Sequence, residues 1–157
     1  MSPKASDSVA FAPRLGATDY QSLGEFRRAI RDFLAFSEES ARELGVTSQQ
    51  HQALLAIRAH SGPEPMSIGE LADSLLIKNH SAVGLVARLV ERELISRSTS
   101  ETDRRRVLLT LEARGEEVLA RISQSNLRRL SITAKSLRRV LSTLRKLETA
   151  QSAKSAP

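Results

Sequence analysis

Residues 95–110 read Ile95-Ser96-Arg97-Ser98-Thr99-Ser100-Glu101-Thr102-Asp103-Arg104-Arg105-Arg106-Val107-Leu108-Leu109-Thr110. Ile95 to Thr99 and Arg106 to Thr110 are short β-prone runs, and the residues between them are polar. Two such runs around a polar break predict a β-hairpin with a basic tip. Arg104, Arg105 and Arg106 are consecutive, so along an extended chain they point to alternate sides. A projecting tip with several arginines suits a narrow duplex minor groove, whose negative potential attracts Arg. Asp103 is expected to pair with an arginine and fix the shape of the loop.

Just upstream, Ser67-Ile68-Gly69-Glu70 is a capping box that opens a short helix over 67–76, with Ile68, Leu71, Ala72 and Leu75 inward. Asn79 is a good N-cap for the next helix, which runs to about Arg92 with Val83, Val86, Ala87 and Val90 on its inner face. Two helices this close together match a helix-turn-helix, whose second helix enters the major groove by its N-terminal turns. The reading face is then Asn79, His80, Ser81, Ala82, Gly84, Leu85 and Arg88, with Ser67 and Lys78 completing the set. Asn and Ser can hydrogen-bond base edges or phosphates, the small residues let the backbone approach, and Arg88 can reach a phosphate or a guanine. The same segment could, on residue pattern alone, be a protein-docking module or a non-specific architectural DNA binder.

Thr47-Ser48-Gln49-Gln50 is a second capping box, opening a helix that ends near His60 before the breaker Ser61-Gly62-Pro63-Glu64-Pro65. Before it, Leu23, Phe26, Ile30, Phe33 and Leu34 form a helical stripe that Gly45 closes. After the hairpin, Thr110 is expected to cap a helix carrying Leu111, Val118, Leu119 and Ile122. A break somewhere in 123–133 should then precede a last helix with Leu137, Val140, Leu141, Leu144 and Leu147. A first helix over 19–44 is about 39 Å long at 1.5 Å per residue. The two outer regions carry more apolar helix than a lobe of this size can cover. A second copy is the natural recipient, with Leu23, Phe26, Ile30, Phe33, Leu137, Val140, Leu141 and Leu144 as the seam. The expected organisation is an arm over 1–18, a dimerisation helix over 19–46 and a DNA-binding lobe over 47–110. C-terminal dimerisation helices over 111–150 and a disordered tail over 151–157 complete it. The fold class is mostly α with a small β-hairpin.

Composition narrows the function classes. The 157 residues hold 24 Lys and Arg against 18 Asp and Glu, a formal charge of +6. Residues 1–77 carry a net −3, 78–110 a net +3 and 111–157 a net +6. This asymmetry gives the chain a polyanion-facing half. Five aromatics without Trp count against stacking platforms for single strands. The absence of Cys excludes disulfides, thiolate metal sites and a thiol redox switch. No apolar run reaches the roughly 18 residues of a membrane span, and no signal-peptide pattern opens the chain, so a cytoplasmic protein is expected. His51, His60 and His80 have no carboxylate cluster at ligand spacing, so no metal and no cofactor are expected. No phosphate loop or activated nucleophile is present, so the chain does not read as an enzyme.

From Gln49 to Gly115 the sequence resembles the MarR family of winged helix-turn-helix regulators. The likeness rests on Ser67-Ile68-Gly69-Glu70-Leu71-Ala72, on Val83 to Leu94, and above all on Asp103-Arg104-Arg105, Val107, Leu109-Thr110 and Gly115. The resemblance implies a homodimer with interlocked terminal helices, one DNA-binding lobe per subunit and a roughly palindromic double-stranded operator. It gives Arg105 the wing-arginine role and Asp103 the supporting one. It implies a transcriptional regulator, a repressor by preference, released by a small-molecule effector, and it places His51 beside the cleft where such effectors bind. The chain departs from the family at Glu93, where Gly is frequent; a left-handed Glu there costs about 1 kcal/mol.

Overall fold

The computed structural model describes residues 16–154, with side chains of the last helix only in part beyond residue 132. Residues 1–15 of the arm expected over 1–18, residues 155–157 of the expected tail, and the side chains of Leu137, Val140 and Leu144 lie outside the described residues; Ala17 and Thr18 of the expected arm are already part of the first helix. The elements are α1 (Ala17–Glu43), α2 (Ser48–Ala59), α3 (Ile68–Ser74), α4 (Asn79–Glu91), β1 (Ile95–Thr99), β2 (Val107–Leu111) and α5 (Ala113–Lys154). The fold is therefore mostly helical with one antiparallel hairpin, as the residue pattern predicts. Its described residues divide into a lobe, 32–131, and a second unit drawn from 16–31 and 132–154.

Both predicted capping boxes form. Thr47 accepts from the Gln50 N–H while the Gln50 side chain accepts from the Thr47 N–H, and Ser67 and Glu70 do the same at α3. Each box satisfies two donors that a helix start would otherwise leave open. Three helices end alike, by paired reverse bonds around a left-handed residue. Gly45 N–H bonds Arg42 and Val46 N–H bonds Ala41; Leu76 and Ile77 repeat this on Asp73 and Ala72, and Glu93 and Leu94 on Val90 and Leu89. The left-handed residues have φ of 73° at Gly45, 54° at Leu76 and 56° at Glu93. Only the first is glycine, so α3 and α4 both end at a steric cost.

The lobe's core is aliphatic. Leu54, Leu71, Leu85, Leu89, Leu94, Leu109 and Ile122 are all but sealed from water. The hairpin pairs Ile95 with Leu111 through to Thr99 with Val107. Its outer edge is held as well: Leu109 N–H donates to the Met66 carbonyl at 2.8 Å, and Ser67 bridges Leu108. The hairpin is thus tied to the start of α3 through its backbone. Gly115, in the first turn of α5, lies where a Cβ would stand 2.0 Å from the Leu94 carbonyl oxygen. Only glycine lets α5 start this close to the hairpin root.

Two expectations about the C-terminal region are corrected. Thr110 does not cap a helix; it lies within β2, paired with Ser96, and α5 begins at Ala113. The break expected in 123–133 is absent, and α5 runs unbroken to Lys154, past the expected start of a tail at 151. The segment has no Gly or Pro to break the helix. The Ser131 hydroxyl bonds back to the Arg128 carbonyl at 2.7 Å, one turn earlier.

Within the lobe, Asn126 donates to the buried Ser37 hydroxyl at 2.9 Å, and the Arg129 guanidinium lies 5.3 Å from the Phe36 ring centre. In the second unit Arg139 bonds Glu25 at 2.7 Å, joining the early part of α1 to the late part of α5. Leu23, Ile30, Ile132 and Leu141 are exposed there, and Leu34, Leu127 and Leu130 are exposed on the lobe. Phe26 and Phe33 are half-buried.

Candidate DNA interface

The phase of α4 decides what it can read. Ala82, Leu85, Val86 and Leu89 are buried and pack the helix onto α3 and the hairpin. The outer face is therefore Asn79, His80, Val83, Gly84, Ala87, Arg88 and Glu91, a stripe at helical spacing. This corrects the sequence-based face: Ala82 and Leu85 point into the core and cannot touch a duplex. Val83 and Ala87, expected inside, stand outside. The valines were misleading because the larger leucines set the phase. The alternative phase also gathers every polar residue of 79–91 except half-buried Ser81 on one face, which is the signal that could have decided it. Lys78, Asn79, His80 and Arg88 are exposed, and Ser81 and Gly84 are half-buried.

Asn79 is the first helical residue rather than the cap. Lys78 holds the cap position and makes no side-chain cap bond. The start of α4 thus presents N–H groups and a partial positive charge beside the Lys78 ammonium, an arrangement that favours phosphate. Val83 offers methyl groups of the kind that contact the thymine methyl in the major groove. Ser67, expected at the interface, is buried instead, its hydroxyl shared between the Glu70 N–H and the Glu70 carboxylate.

The wing tip is built on a buried serine. Ser100 Oγ accepts from the N–H groups of Thr102 and Asp103, both at 3.2 Å, and donates to Glu64 Oε1 at 2.8 Å. Asp103 Oδ1 then accepts from the Arg105 N–H at 3.0 Å, and its carbonyl accepts from the Arg106 N–H. Asp103 therefore shapes the loop, but through the backbone of Arg105 rather than by the expected pairing with a guanidinium. Arg104 and Arg105 are exposed, and neither makes an ion pair among the described residues.

Arg106 differs from its two neighbours. Its Nη1 lies 3.2 Å from Glu64 and its Nη2 3.0 Å from Glu70. Its expected place in the DNA-contacting set is thus corrected: the guanidinium faces two carboxylates of its own lobe. Glu70 also accepts from the Ser67 N–H and hydroxyl, and these bonds with the nearby Arg106 hold its carboxyl below the usual range. The ties of Glu64 and Glu70 to Arg106 are not legible in the sequence because their partner lies 42 and 36 residues away. The one local hint at Glu64 is a carboxylate fixed between Pro63 and Pro65.

His51 is buried in the first turns of α2, with Nε2 lacking a hydrogen-bond partner. Burial lowers its pKa, so the ring is neutral at pH 7. Among the described residues no group of three or more His, Asp or Glu could hold a metal ion, and no helix is long and apolar enough to cross a membrane.

Comparison with known proteins returns the same architecture. The MarR family profile matches residues 44–106. A protein of Thauera aromatica assigned to transcriptional regulation of its hcr operon is 35% identical over 102 residues, 65% of this chain and 60% of that protein. The HTH-type transcriptional repressor NicR of Pseudomonas putida is 32% identical over 93 residues, 59% of this chain and 57% of NicR. The chain therefore spans about three fifths of each relative it matches. Among solved structures, AbsC, a MarR family transcriptional regulator from Streptomyces coelicolor, superposes with a TM-score of 0.66 at 18% identity. The match covers 92% of this chain and 99% of AbsC.

Proposed function

We propose that the chain, whose residues 44–106 match the MarR family profile, is a MarR-type homodimeric, cytoplasmic regulator of transcription that binds a short, roughly palindromic duplex. The observation that carries this reading is the exposed stripe Asn79, His80, Val83, Arg88 on one helix, with two unpaired arginines, Arg104 and Arg105, on the wing of the same lobe. The helix supplies hydrogen-bonding and methyl groups for base edges in the major groove, and the wing arginines suit the adjacent minor groove. Dimerisation is supported by the apolar side chains left exposed on α1 and α5, Leu23, Ile30, Leu127, Ile132 and Leu141 among them. A second copy would cover them, and two-fold symmetry would set two reading helices about 34–36 Å apart.

Repression is the favoured sign of regulation, because site occupancy alone achieves it and because the relative NicR is named a repressor. Release by a small-molecule effector, with His51 near its site, is part of the same reading. The experiment is selection of bound fragments from genomic DNA by the purified protein. A shared inverted repeat supports the proposal. Recovery of random fragments points to an architectural DNA binder, and recovery of none to a protein-docking module.

A further inference from the structure

We propose that Glu64 is a positioning residue for DNA binding: with Glu70 it holds Arg106 in a bracket that fixes the wing's stance relative to the reading helix. This inference rests on the DNA-binding function proposed above. The Glu64 carboxylate grips both sides of the hairpin tip. Oε1 accepts from Ser100 Oγ at 2.8 Å and from Thr102 Oγ1 at 3.2 Å on the outgoing side; Oε2 takes Arg106 Nη1 at 3.2 Å on the returning side. Arg106 then spans to Glu70, in the first turn of α3, the helix that packs on α4. A continuous polar chain thus runs from the wing tip to the start of α3, which in turn packs on the helix that reads the groove.

The tip needs such a hold. Beyond the last cross-strand backbone bond, from the Ser100 N–H to the Arg106 carbonyl at 3.0 Å, the hairpin projects without an apolar underside, and residues 101–105 are all exposed. A carboxylate near a DNA-facing arginine cluster would be expected to weaken binding by repelling phosphate. Here the two carboxylates pair with Arg106 and, among the described residues, with neither Arg104 nor Arg105. The three arginines therefore divide the work: two remain available for the duplex, and the third is spent on the lobe. Arg suits this position because its planar fork can serve two carboxylates at once, which a lysine ammonium on a single stem does less well.

The sign of the effect makes the test sharp. Glu64→Gln removes a negative charge from the DNA-facing side of the protein. On charge alone it should tighten binding to a duplex recovered by the genomic selection. The bracket predicts the opposite, a five-fold or greater loss of affinity, with the sequence preference at the site's flanks flattened and the preference at the positions read by α4 retained. Arg106→Lys keeps the charge but not the fork, and it should show the same flank-confined loss. In combination with Arg105→Ala, Arg106→Lys should add little, because a displaced wing no longer uses Arg105. Equal or tighter binding by Glu64→Gln, or full affinity for Arg106→Lys, overturns the bracket while leaving the DNA-binding function intact. Loss of preference across the whole site also overturns it, since the effect would then be general unfolding; thermal unfolding of both variants checks this directly. Failure of the unmodified protein to bind any duplex would instead contradict the underlying function.

Discussion

The reading helix and the wing are held in place by opposite means. Helix α4 rests on Ala82, Leu85, Val86 and Leu89, each at most 1% exposed. The wing tip rests on Ser100, Glu64, Arg106 and Glu70, and the last three remain partly open to water. Burial of aliphatic groups is neither screened by salt nor titrated by pH, whereas half-exposed ion pairs are worth only about 0.2–1 kcal/mol each and weaken as salt rises. The helix is therefore a fixed reader and the wing an adjustable one. Perturbing the first should cost stability, and perturbing the second should cost DNA affinity.

The largest effect is expected under the helix. Leu85→Ala removes a sealed side chain that the sequence alone had placed on the DNA, and it should lower unfolding free energy by about 3 kcal/mol. Chemical denaturation measures this. A loss under 0.5 kcal/mol would return Leu85 to the surface. Next comes Arg105→Ala, which should weaken binding to the selected duplex by about 1–3 kcal/mol while leaving unfolding unchanged. Titration by fluorescence anisotropy, beside a melting curve, separates the two; equal damage to both would erase the contrast between helix and wing.

The junction between the two regions is Glu93, whose φ of 56° links α4 to β1. Glu93→Gly relieves the left-handed strain but makes the unfolded chain more flexible, so the net gain should be about 0.5–1 kcal/mol. An unchanged or lower denaturation midpoint would show that Glu93 bears no strain. The smallest effect is on pH. His51 is lowered by burial, so the unfolded chain takes up its proton first and stability falls as pH drops below about 6.5. Glu70 is also lowered, but as a carboxylate it keeps its contribution above about 4.5 and loses it as pH falls through its folded value. Melting temperatures should thus decline in two steps, and His51→Leu should remove only the upper one. A single step at the carboxylate end would contradict the neutral, buried imidazole.

This contrast also explains what the sequence could disclose. Capping boxes at Thr47 and Ser67, the closing Gly45 and the strands around 95–110 are written in neighbouring residues, and each forms where the pattern puts it. The phase of α4 was misjudged because β-branched residues and leucines compete for the same stripe, and only packing against α3 and the hairpin resolves it. The role of Arg106 was hidden by its neighbours, since three arginines in a row look alike until two distant carboxylates single one out. The polar run 123–133 suggests a break in α5, but it holds no Gly or Pro, and the Ser131 hydroxyl bonds back to the helix.

The central claim is that paired lobes read one duplex. Its most direct test is a titration of the purified protein against a recovered duplex and a shuffled control across a range of salt. The account predicts two protomers per duplex and affinity about 10³-fold or more above the control. Log affinity should fall steeply with log salt, by about 0.9 per phosphate contacted. One protomer per duplex, or equal affinity for both sequences, would contradict it.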